Sequence, residues 1–186
     1  MRNIPESEFL EWAAQANLVP DPRHPHSRQQ LVFTNSTACW GGWTPIRGPD
    51  EPTKFIETAI GLISSLTIRI RVRGGGSFAS TKDTSTYEQA LGAAALAAGI
   101  PSNTIGAIEF DPSERCALID LALAFFQFGY CVGTDLEIMD RDGGVCLLLS
   151  HHHEIIGHFA NPKRLSTFHT AMTAAGYGGD ADDSDK

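Results

Sequence analysis

Apolar residues along the chain recur in two rhythms, one suited to helices and one to strands. Between Pro5 and Asn17, the residues Phe9, Leu10, Ala13 and Ala16 fall at helical spacing, with Pro5 placed for a first turn. Pro20, Pro22 and Pro25 then break any regular structure in the segment from Leu18 to Ser27. Leu31 to Thr34 reads as a short strand, and Cys39 to Pro45 as a loop carrying Trp40 and Trp43. A second helix is expected from Asp50 to Ser64, where Phe55, Ile56, Ala59, Leu62 and Ile63 form a stripe. From Leu66 to Arg73 the alternation is strict. Ile68, Ile70 and Val72 take one face and Arg69, Arg71 and Arg73 the other, which predicts a half-buried strand with one wet face.

Beyond Gly74 to Gly76, Ser85 and Glu88 have capping-box spacing for an alanine-rich helix ending at Gly99. A short strand is expected through Ile105 and Ile108. Asp111, Pro112 and Glu114 open a helix whose Leu118, Leu121, Ala122, Phe125 and Phe126 face a core and which Gly129 ends. Two extended segments, Tyr130 to Met139 and Gly144 to His153, flank Asp142-Gly143 and predict a β-hairpin over about 130–153. In that register Arg141 faces Gly144 and Asp135 lies opposite Ser150. Asn161-Pro162 opens a last helix with Leu165, Phe168 and Met172 inward, stopping at Gly176. The glycines and acids that follow predict a disordered acidic tail over 177–186, which leaves 1–176 as one globular domain. The pattern is that of an α+β fold, a mostly antiparallel sheet with a C-terminal hairpin packed against several helices.

Composition narrows the function classes. A net charge of −8 and a pI near 5.2 disfavour a nucleic-acid surface, which needs clustered Lys and Arg. The most apolar run, Ala117 to Phe128, is interrupted by Asp120 and is shorter than the ~20 residues of a membrane span. The opening residues show no apolar secretory segment. Four widely spaced cysteines, with no C-x-x-C pair, read as thiols of a reducing compartment, with Cys131 and Cys146 on facing strands of the hairpin. The expectation is a soluble cytoplasmic protein.

Three features carry candidate chemistry. The run His151-His152-His153-Glu154, with His158 beyond it, holds four of seven histidines. On a strand His151 and His153 share a face and could grip a divalent ion such as zinc at ~2.0–2.1 Å, with His158 as third ligand. His169 and Glu137 are further candidate ligands. Glu154 or Asp135 would then be the base for an activated water in a metal-dependent hydrolase. The helical H-E-x-x-H arrangement is excluded, because His158 follows His153 by five residues, about 500° of rotation rather than ~400°. The competing expectation is that these imidazoles sit at a strand end and pair with Asp135 or Glu137 across the hairpin.

Arg69, Arg71 and Arg73, followed by three glycines, suit an anion, which would make the chain a small anionic-ligand sensor. Equally, the arginines suit cross-strand pairs with Asp135 and Glu137. Trp40 and Trp43, in the loop from Pro20 to Pro49, are candidate partner contacts, or else indoles that cap the core. No cofactor fingerprint and no complete catalytic set emerge. The leading expectation is therefore a non-enzymatic protein-binding module with a basic protein partner, comparable by analogy to small acidic inhibitor or immunity-type proteins.

Overall fold

The computed structural model describes residues 1–21, 30–34, 38–43, 50–63, 67–73, 76–78, 85–101 and 104–182. Among the described residues the α-helices are α1 (Glu6–Gln15), α2 (Glu51–Gly61), α3 (Thr86–Ala97), α4 (Arg115–Val132) and α5 (Pro162–Ala174). Their starts follow local chemistry. The Ser85 hydroxyl accepts from the Glu88 N–H while the Glu88 carboxylate accepts from the Ser85 N–H, closing the box that opens α3. The Asn161 side chain accepts from the Arg164 N–H at the start of α5, with Pro162 in the first turn.

Among the described residues the strands are β1 (Arg2–Ile4), β2 (Leu18–Pro20), β3 (Leu31–Phe33), β4 (Cys39–Trp43), β5 (Ile68–Val72), β6 (Ala107–Phe110), β7 (Leu136–Asp140), β8 (Val145–Ser150), β9 (Glu154–Phe159) and β10 (Asp180–Asp182). Eight form one sheet in the order β1-β6-β5-β7-β8-β9-β4-β10, and β2 pairs with β3 in a second small sheet. Their pairings are antiparallel. The α+β class and the mostly antiparallel sheet are thus as the sequence pattern implies.

The large sheet is covered on both faces. On one, Ile68, Ile70, Val72, Ile138, Leu147 and Leu149 meet Phe55, Leu91, Leu121, Phe125 and Phe168 from α2 to α5 in the principal core. On the other, Ala107, Met139 and Cys146 meet Ile4, Phe9, Ala13, Leu18, Leu31 and Phe33 from the N-terminal segments. This second layer corrects the wet face expected for β5. Arg69 and Arg71 are nearly as buried as their neighbours Ile68 and Ile70.

The hairpin β7–β8 has the expected register, with Glu137 opposite Leu148 and Met139 opposite Cys146. Its ends differ from expectation. Helix α4 continues past Gly129 to Val132, and Gly133 closes it at φ 62°. Gly129 serves close packing instead: a Cβ there would lie 2.5 Å from the Thr134 carbonyl oxygen. Cys131 is therefore on the helix, not on a strand facing Cys146. The histidine run is a turn, and the chain re-enters the sheet as β9. Cys39 to Trp43 is also a strand rather than a loop. The C-terminal segment is ordered beyond Gly176: Tyr177 is buried 5.0 Å from the Phe55 ring, and β10 pairs with β4. Of the acidic stretch expected to form a tail, 183–186 lie outside the described residues.

Candidate functional site at the sheet end

The polar face of the sheet has a closed middle and an open rim. In the middle, cross-strand register brings Arg69 beside Glu109 and Arg71 beside Glu137. Arg69 Nε donates to Glu109 Oε2 at 2.9 Å, and its guanidinium lies 4.3 Å from the centre of the Trp12 ring. Arg71 Nε donates to Glu137 Oε2, Nη1 lies 3.5 Å from Glu6 Oε1, and the guanidinium rests on Phe9. Glu137 has no exposed surface, and its Oε1 accepts the Leu31 N–H at 2.7 Å, tying the small sheet to the large one. Burial pushes the Glu137 pKa up, against the opposing pull of Arg71. Burial likewise lifts the Cys146 thiol well above its ordinary range, which makes it a poor nucleophile.

The arginines thus answer to the protein's own carboxylates. They do not form the exposed cationic row that an external phosphate or carboxylate would need.

At one end of the sheet β5, β8 and β4 finish while β7 and β9 begin. There the chain presents Arg73, Asp135, His151, His152, His153, Glu154 and Trp43. Asp135 anchors this rim. Its Oδ2 accepts from Arg73 Nη1 at 2.7 Å, and its Oδ1 accepts the His151 N–H at 2.8 Å and lies 2.6 Å from His151 Nδ1. Burial alone would raise the Asp135 pKa. The His151 N–H, the Arg73 guanidinium and the His151 ring outweigh it and hold the carboxyl below its ordinary value.

The turn is fastened from within, since the Ser150 carbonyl accepts the His153 N–H at 3.0 Å and the Ser150 hydroxyl accepts the His152 N–H at 3.2 Å. His153 takes a left-handed φ of 61°, and its ring lies 5.5 Å from Phe126. The His152 ring lies 4.0 Å from that of His151. Glu154 stands opposite Trp43 in the β4–β9 register. Burial raises its pKa, countered in part by His152. Trp43 is 62% exposed.

The candidate zinc ligands are not brought together. His151 and His153 belong to the turn, whereas His158 is buried near the far end of β9, where its Nε2 lies 2.7 Å from Gln30 Nε2. In β9 it is registered opposite Cys39 and Cys146. Among the described residues no three His, Cys, Asp or Glu side chains gather as a metal site. The strand geometry that put His151 and His153 on one face fails because a three-residue turn reorients each ring separately.

The Asp135–His151 pair has the form of a base and its orienting acid. Among the described residues, however, His151 hydrogen-bonds no hydroxyl or thiol that could act as nucleophile. The two tryptophans also part company. Trp40 is fully buried, 5.3 Å from Phe168 and 6.5 Å from Phe55, so it belongs to the core and not to a contact surface.

His152 and His153 stand exposed on a turn, where the sequence pattern predicts a strand. A signal for that turn is present: the apolar run Val145 to Leu149 resumes at Ile155-Ile156 after five polar residues, which is hairpin spacing. No protein-family model, curated protein or solved structure matches this chain.

Proposed function

We propose that this chain is a protein-binding module that engages its partner through the sheet end. The observation that carries this reading is Trp43, 62% exposed on β4 and registered opposite Glu154, the residue that follows the exposed His152 and His153. Large exposed aromatics supply much of the energy at protein interfaces when a partner desolvates them. The backing is rigid. Asp135, held by Arg73 and the His151 backbone, fixes the turn before any partner arrives, which lowers the entropy lost on binding. A net charge of −8 favours a basic partner surface and would speed encounter with it.

The test uses immobilised full-length protein, together with Trp43→Ala and His152→Ala/His153→Ala variants whose melting temperatures match the wild type. A protein retained by the wild type is purified and its affinity measured directly. The reading expects a Kd at or below about 1 μM that weakens at least about tenfold in the Trp43 variant. A directly binding protein whose affinity ignores both variants, or the lack of any stoichiometric partner in the source extract, overturns it.

A further inference from the structure

At the opposite end of β8 and β9 from the histidine turn lies a cavity of about 340 Å³, within the size range of small-molecule sites. Its apolar wall is Val145, Phe159 and Phe168, and its polar lip is Asn161, Lys163 and Arg164 from the start of α5.

Arg164 is held in place. Its Nη1 donates at 2.8 Å to Asp140 Oδ2, a fully buried carboxylate whose Oδ1 accepts the Gly144 and Val145 N–H groups at 2.5 and 2.9 Å. The guanidinium lies against Gly144 so closely that a Cβ there would fall 2.4 Å from its carbon. Glycine at 144 thus permits the arginine to sit at the cavity mouth. Lys163 makes no ion pair among the described residues. With Asp140 cancelling one charge, the lip keeps a net charge of one.

The placement runs against the helix dipole. Acids are favoured in a helix's first turn and bases in its last, yet α5 begins with two bases and no acid. A single negative charge resting there would relieve both the lysine and the exposed end of the dipole.

We propose that this cavity binds a small amphipathic monoanion, a carboxylate carried on an apolar chain. The carboxylate would rest on Lys163 and Arg164, and the chain would lie against Val145, Phe159 and Phe168. This site is independent of the sheet-end reading and stands or falls separately from it.

Octanoate is the probe, followed by melting temperature and by titration calorimetry on the full chain. Acetate tests whether the apolar chain matters, and octylamine, cationic at neutral pH, tests whether the charge matters. The expected result is stabilisation by octanoate, with little from acetate or octylamine at equal concentration. Lys163→Glu reverses the one unpaired charge and is expected to weaken octanoate at least about tenfold. Thr167→Trp, which fills the cavity from an exposed position of α5, should abolish binding. No response to octanoate, equal stabilisation by octylamine, or undiminished octanoate binding in both variants overturns the proposal.

Discussion

The middle of the polar face and its rim are built from the same residue types, arginines facing acids across strands, yet they do opposite work. In the middle, Arg71 and Glu137 lie under α1 and β3 with almost no exposed surface. At the rim, Arg73 and Asp135 form the same kind of pair beneath an exposed histidine turn. The lesson is that the cover, not the residue type, separates scaffold from site. A charged stripe under a second layer holds that layer down. Two residues further along the chain, at Arg73, the same chemistry braces an exposed turn.

The sharpest way to break this comparison is to remove Glu137. Glu137→Ala leaves a buried guanidinium without its carboxylate and is expected to cost about 3–5 kcal/mol in denaturant unfolding, whereas Arg71→Met/Glu137→Leu should recover most of that loss. A loss below about 1 kcal/mol in the single variant would match a solvated stripe and sink the sealed-middle account.

Trp40→Ala should cost about 3–5 kcal/mol by opening a cavity among Phe55 and Phe168. At the rim, Asp135→Asn should cost about 1–3 kcal/mol at neutral pH, as a charged acceptor is lost from three contacts. Its pH dependence has a definite sign. The folded carboxyl sits below its ordinary 3.8, so its contribution is complete above that value and is lost as pH falls through the lower folded pKa. Melting curves of wild type and Asp135→Asn should converge in acid, and a gap that stays constant down to the lowest pH would refute the assignment. The smallest effect belongs to Trp43→Ala, within about 0.5 kcal/mol, because its indole packs little.

Long elements with strong punctuation were legible in the sequence. The capping box at Ser85, the Asn161-Pro162 start of α5 and the Asp142-Gly143 hairpin with its register all stand where local chemistry put them. The strands β1, β2 and β10 were not legible: three residues are too few to show a period of two, and none has the wholly apolar run that marks the equally short β3. The polar face was half legible. Alternation identified which side Arg69, Arg71 and Arg73 take, and the acids at 135 and 137 were foreseen as their partners. That Leu31 and Phe9 would cover them depends on contacts far apart in the chain, which no local pattern encodes. The histidines misled for a related reason. Strand alternation was extended through Ser150, where the backbone turns, so an expected facing pair became a braced loop.

The most direct test is the affinity of a purified partner for two single variants, measured at a temperature where both are folded. Trp43→Ala alters the rim and Glu137→Gln the middle. The account predicts binding weakened at least about tenfold by Trp43→Ala and unchanged by Glu137→Gln, with stability showing the reverse order. Equal loss of affinity in the two, or loss only in Glu137→Gln, would contradict it.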